Sequence, residues 1–319
     1  MTARRSIQAV LAMVVAAIAL APLVLPGDSG LHLVNLILIW SIFAVGFDLV
    51  FGIAGMLSFG HAAMFGTGAY ALTLLTTRMG WDFLPALGAA GILGGLLALV
   101  FSFFAMRAAG LFFALLTLAL AQLIYILAGS KLRDLTGGVD GLGGVPRPDL
   151  FGVDFYDDGN FYFFLLGMFV LALAVAGVLR LSPFGQALRA VKANDVRAEQ
   201  IGFNVQRLRQ AVFAVSGIYA GISGALLASL IFYVSPQMLH WTTSGDVVIM
   251  VLLGGMGTLF GPILGVALFE VLREGLSTVT PYWYGILGLV FILCTIFMPH
   301  GLAGLAQQLR QRFGAGGRR

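Results

Sequence analysis

Ser182-Pro183-Phe184-Gly185-Gln186-Ala187-Leu188-Arg189-Ala190-Val191-Lys192-Ala193-Asn194-Asp195 opens the one densely charged stretch of this chain. Between Arg180 and Arg209 lie six of the eighteen Lys and Arg residues, against only Asp195 and Glu199, in a sequence that is 60% hydrophobic and 10% charged. Pro183 stops the apolar run before it because proline supplies no N–H donor, and Gly185 tolerates the turn. Phe184, Ala187, Leu188 and Val191 then recur at helical spacing while Arg189, Lys192 and Asp195 are directed elsewhere. The spacing predicts a short amphipathic helix on a membrane surface, ended at Gly202, before an apolar run resumes at Gln210. It is a folded loop between two spans, and the place where a soluble partner can push on the membrane part.

Outside that loop the composition is that of a membrane protein. Mean hydropathy is +0.99 over 319 residues, and the charged fraction is far below the roughly 25% of soluble domains. The net charge of +4 and pI near 9.5 do not indicate nucleic acid, because the bases gather in short loops and tails between apolar runs. Cys294 is the single cysteine, which excludes an internal disulfide and a cysteine-based metal site. No paired carboxylates, metal-ligand spacing or nucleophile elbow is present, so no catalytic residue is expected. A G-x-x-x-x-G-K-[ST] phosphate loop is absent as well. Its nearest imitation, Thr136-Gly137-Gly138-Val139-Asp140-Gly141-Leu142-Gly143-Gly144, lacks the lysine and reads as a tight acidic loop.

A bilayer crossing takes about 20 apolar helical residues. Runs of that length predict spans near 7 to 25, 33 to 51, 61 to 77, 84 to 105, 110 to 129, 161 to 180, 210 to 233 and 283 to 299. The first follows Arg4-Arg5 and resembles a signal peptide, but it is too long for a typical h-region and Pro22 follows Ala21 at once, so it reads as an uncleaved span. Residues 244 to 275 are too long for one crossing and short for two, and predict two abbreviated or re-entrant helices meeting at the glycines. About ten transmembrane or partly spanning helices result: an all-α, polytopic membrane protein, read as a single transmembrane domain over 1–319. Placing the N-terminus inside collects thirteen bases (Arg4, Arg5, Arg107, the six of 180 to 209, Arg310, Arg312, Arg318, Arg319) against two acids. The other side then holds five bases against eleven acids. Loop 181–209 and both termini are therefore expected in the cytoplasm, and loop 130–160 outside.

Four features carry candidate function. Asp48 lies inside the second span, where a carboxylate is costly and marks either an ion pair, with an arginine for example, or a pathway. Ser58 and His61 sit in a glycine-rich entry to the third span and are open to helix capping or gating. Gln122 in the fifth span is open to interhelical hydrogen bonding or to a path. Gly254, Gly255, Gly257 and Gly261 break the late helices, either as a kink or to expose backbone dipoles to a polar solute. Gly217, Gly221 and Gly224, spaced by four and three, read as helix packing.

Taken together, Ala44-Val45-Gly46-Phe47-Asp48-Leu49, Gly55-x-x-Ser58-Phe59-Gly60-His61-Ala62-Ala63, Thr136-Gly137-Gly138-Val139-Asp140-Gly141, the run from Ser182 to Gly202 and Gly254-Gly255-Met256-Gly257-Thr258-x-x-Gly261-Pro262 resemble the permease subunits of ATP-binding-cassette importers for branched-chain amino acids. The resemblance is to the M-type subunit of the H/M pair. It implies a type II importer fold in the bacterial inner membrane, paired with a second, H-type paralogous permease. Two cytoplasmic ATP-binding subunits carrying ATP and Mg, and a periplasmic substrate-binding protein, complete the implied assembly; lipid surrounds it and no nucleic acid takes part. Residues 184 to 204 would form the coupling helix in a groove of the ATPase, with Phe184, Arg189, Ala190, Asn194, Asp195, Glu199 and Gly202 as coupling residues. No cofactor is implied for this chain. Relatives carrying urea, short amides or aromatic acids share the pattern. An ion-coupled carrier is disfavoured, because such carriers place several ionisable residues deep in their helices.

Overall fold

The computed structural model describes residues 28–150, 152–297 and 301–304. Helix α1 (Asp28–Asp48) continues as one π-helical turn, Leu49–Ile53. Then follow α2 (His61–Thr77), α3 (Phe83–Ala105), α4 (Leu111–Gly129) and the single turn α5 (Arg133–Thr136). Strand β1 (Leu142–Gly143) precedes the hairpin of β2 (Asp149–Leu150) and β3 (Val153–Asp154). The chain continues through α6 (Asp158–Leu181), α7 (Pro183–Ala193), α8 (Asp195–Gln200) and α9 (Val205–Ile231). Strand β4 (Tyr233–Val234), which pairs with β1, and a 3-10 turn (Pro236–Leu239) lead to α10 (Trp241–Gly254), α11 (Gly261–Ser277) and α12 (Trp283–Phe297). The fold is all-α and polytopic, as expected, and each predicted span but the first has its helix; the span at 7 to 25 lies outside the described residues.

Enclosure sorts the helices. In the most apolar windows of α1 and α9, 83% and 72% of residues are buried, against 28% in α4 and in α6, so α1 and α9 form the centre and α4 and α6 the rim. Lipid tails give no hydrophobic drive for helix association, so the centre is held by close backbone approach. A Cβ at Gly68 of α2 would lie 2.0 Å from the Gly221 carbonyl oxygen, and one at Gly224 would lie 1.9 Å from that of Phe65. Gly221→Val is accordingly expected to cost ~3 kcal/mol or more, read as a lowered Tm and loss of monodisperse protein in detergent. Gly88→Ala, a helical position with nothing within 4 Å of the added methyl, serves as the tolerated control.

The late apolar region resolves into a hairpin. Gly254 and Gly265 bring α10 and α11 into backbone contact, since a Cβ at either would meet the Gly261 or Met250 carbonyl oxygen at 1.8 Å. Both helices are shorter than a full crossing, at 14 and 17 residues.

The two ends of the bundle differ in charge. One gathers the end of α1, the α6–α9 loop and the α10–α11 turn, with Arg189, Lys192, Arg197, Arg207 and Arg209. The other is acidic, and there Arg78 donates to the Asp134 carbonyl oxygen at 3.2 Å. On the acidic side Arg147 fastens the long loop: it pairs with Asp158 at 2.8 Å, donates to the carbonyl oxygens of Phe155 and Tyr156, and lies over the rings of Phe161 and Phe232. The glycine motif at 136–141 is a set of turns, with Gly137 and Gly141 at φ +77 and +70. A Cβ at Gly141 would meet the Val234 carbonyl oxygen at 2.2 Å, so this loop closes on β4.

One expectation is corrected. Residues 184 to 204 are two helices, α7 and α8, because Asn194 takes an extended backbone (φ −165, ψ 106) so that its side chain can accept from Arg197 N and cap α8. Ser182 caps α7 in the same way, by accepting from Gly185 N. Gly202, at φ +97, follows the end of α8.

Candidate coupling site

Asp48, at the last α-helical turn of α1, is fully buried. Its Oδ2 forms an ion pair with Nη2 of Arg180, at the end of α6, and its Oδ1 accepts the N–H of Gly257 at 2.8 Å. A buried carboxylate survives only when its lone pairs and charge are met, and here one side chain ties three segments together: the π-turn of α1, the end of α6 and the α10–α11 turn. Gly52 makes the arrangement possible, since a Cβ there would lie 2.1 Å from Asp48 Oδ1 and 2.4 Å from Gly257 N. Gly257 has φ +77, a backbone region that glycine enters without strain.

Helix α7 is bolted to the same cluster. Lys192 Nζ donates to the Gly52 carbonyl oxygen at 2.7 Å, and Arg189 Nη2 donates to the Arg180 carbonyl oxygen at 2.8 Å. These bonds fill acceptors left open where the π-turn and α6 end. Ala187, Leu188 and Val191 are buried beneath α7, and Val191 joins Ala198 and Val205 in a small separate apolar cluster. That cluster explains why α9 begins at Val205, five residues before the apolar run. The opposite face points outward. Arg189, Asn194, Asp195, Glu199 and Gly202 are exposed, and Phe184 and Ala190 are half-buried. Three large apolar residues join them: Val196 at 61%, Ile201 at 72% and Phe203 at 39% exposure. An apolar patch among charges at a bundle end marks an interaction surface.

A family model described as "Branched-chain amino acid transport system / permease component" matches residues 30–295. The chain belongs to this family. It is 30% identical over 305 residues to the high-affinity branched-chain amino acid transport system permease protein LivM of Escherichia coli (strain K12), covering 88% of this chain and 72% of that one. LivM of Salmonella typhimurium is 29% identical, with 87% and 71% covered. LivH of Escherichia coli (strain K12) is 25% identical, with 83% and 91% covered. No solved structure matches.

In this permease the remaining candidates fall into different places. Ser58 and His61 are fully buried at the start of α2, where helix N–H groups lack partners deep in the bundle. Ser58 Oγ accepts from Gly60 N, Thr117 Oγ1 from Phe59 N and Ser244 Oγ from Ala62 N, while His61 Nε2 meets Ser216 Oγ at 2.9 Å between the rings of Phe47 and Phe213. The hydroxyls meet backbone N–H groups around this internal helix start, and His61 ties it to α9. Gln122 is half-buried on α4, and its Oε1 meets no protein donor among the described residues. Gly254 and Gly261 serve helix contact, and Gly257 presents its N–H to Asp48. Sequence reasoning missed Arg180, counted with the surface bases but 7% exposed, as well as Lys192 and the outward patch at 196–203. The only prior signal for that patch was three apolar residues inside a charged loop.

Proposed function

We propose that this chain is the M-type permease of an ATP-driven importer that carries branched-chain amino acids into the cytoplasm. It works beside a second, H-type permease, above two ATP-binding subunits and beneath a periplasmic binding protein. The observation that carries the reading is the Asp48 cluster, which wires an exposed helix pair to the membrane core. Closure of the ATP-binding subunits shifts α7 and α8 as a body, and the bonds from Arg189 and Lys192 pass that shift to α1, α6 and the α10–α11 turn. The names of the LivM and LivH relatives support the substrate class. The excess of bases at the α7–α8 end supports a cytoplasmic position for it.

Single cysteines in a Cys294→Ala background test the orientation. Asp157→Cys is expected to react with an impermeant thiol reagent added to intact spheroplasts, and Asn194→Cys only after lysis. Equal reaction from outside would contradict the proposed direction. Co-purification of an ATP-binding subunit with the wild-type chain tests the partnership.

A further inference from the structure

Between α9 and α10 the chain turns back into the bundle, and this return carries polar groups to a depth where lipid-facing residues are apolar. Depth is fixed by neighbours. A Cβ at Gly66, the sixth residue of α2, would meet Leu239, and Ser244 Oγ accepts from Ala62 N at the start of α2. On α4, Tyr125 lies against His240, with ring centroids 4.9 Å apart. Phe59, which donates to Thr117 of α4, stands edge-on to Trp241 at 6.5 Å. Tyr125 and Thr117 precede the outer end of α4, Gly129, by four and twelve residues, or about 6 and 18 Å at 1.5 Å per residue. The segment thus descends from the acidic end towards the middle of the span.

Its side chains stay uncovered along that descent. Gln237, Trp241 and Thr242 are exposed, and Tyr125, His240 and Thr243 half-buried. They are strung by two long polar contacts, Gln237 Nε2 to Tyr125 Oη at 3.5 Å and Thr243 Oγ1 to the Gln237 carbonyl oxygen at 3.4 Å, and by a hydrogen bond of ordinary length between His240 Nδ1 and Thr242 Oγ1 at 2.9 Å. The adjoining rim of α4 is apolar, with Leu123 and Ile126 about half exposed. Polar side chains left uncovered at membrane depth are costly against lipid and belong to a wetted path.

Resting on the permease reading above, we propose that Tyr125, Gln237, His240, Trp241, Thr242 and Thr243 form one wall of the substrate path, shaped for a net-neutral amino acid with an apolar side chain. Hydroxyls, an amide and an imidazole meet the polar end of the solute, and the indole of Trp241 meets its side chain. None of these six residues carries a carboxylate, ammonium or guanidinium, and Asp246, one turn further along α10, has the charge of Arg273 near it, so a solute with net charge meets no unpaired counter-charge along the wall and loses its hydration uncompensated. A neutral wall also holds the solute weakly enough to release it.

The test uses the assembled importer in cells, with Thr242→Cys and Ile126→Cys each in a Cys294→Ala background, and a charged, water-soluble methanethiosulfonate added from outside. Thr242→Cys is expected to react at least tenfold faster than Ile126→Cys, and saturating leucine to slow it severalfold. Equal rates at the two positions, or a Thr242→Cys rate that leucine leaves unchanged, would overturn the wall. If the Cys294→Ala parent takes up leucine while either of those results is found, the wall alone fails. If the parent assembles with no ATP-binding subunit and takes up no leucine, the permease reading beneath it fails.

Discussion

Arg180→Ala is expected to cost about 3–5 kcal/mol, because it leaves the Asp48 carboxylate buried with its charge unmet. Most domains hold only about 5–15 kcal/mol in total, so the variant should insert poorly and aggregate on extraction, visible as loss of the monodisperse peak and a much lowered Tm. The double variant Asp48→Asn/Arg180→Met removes both charges, and the amide oxygen of the substituted side chain can still accept from Gly257 N. Replacing both members of a buried pair is often neutral, so folding should largely recover. Transport should not, since α6 and α1 would no longer be tied together where α7 bears on them. Recovery of both would reduce the ion pair to a packing device.

The second large effect belongs to the outward patch. Ile201→Asp/Val196→Asp places two carboxylates on exposed positions outside the packed core, so it should leave stability within about 0.5 kcal/mol. Burying those charges without partners in a contact with the ATP-binding subunits would cost several kcal/mol. Each ~1.4 kcal/mol is a factor of ten in affinity, so co-purification of that subunit should fall by a hundredfold or more. Undiminished recovery would move the contact elsewhere on the chain.

The contrast between these two variants follows what the sequence makes legible. Spans were readable because lipid demands long apolar helices: 61 to 77 and 84 to 105 match α2 and α3 to within a residue. The abbreviated pair at 244 to 275 was readable from its glycines. Asp48 was recognisable as costly, but its partner lies 132 residues away, and nothing local points from one to the other. Arg180 looked like every other base of its loop. The break at Asn194 was hidden because asparagine occurs both within and at the ends of helices, and only its extended backbone reveals the cap. Val196, Ile201 and Phe203 were passed over because apolar residues are ordinarily inside. Residues 237 to 243 fell in a gap between two apolar windows while Tyr125 lay inside another, and only contact with α2 and α4 brings them together at depth.

The central claim is that α7 transmits the work of ATP hydrolysis through its bonds to the Asp48 cluster, and Lys192→Ala isolates it. This exposed position can lose its bond to the Gly52 carbonyl oxygen without burying a charge. ATP hydrolysed per leucine imported, measured in proteoliposomes holding the whole importer, is the direct readout. The account predicts near-normal ATP hydrolysis with leucine uptake at least fivefold lower, so the ratio rises by that factor; an unchanged ratio, with assembly and hydrolysis intact, would contradict it.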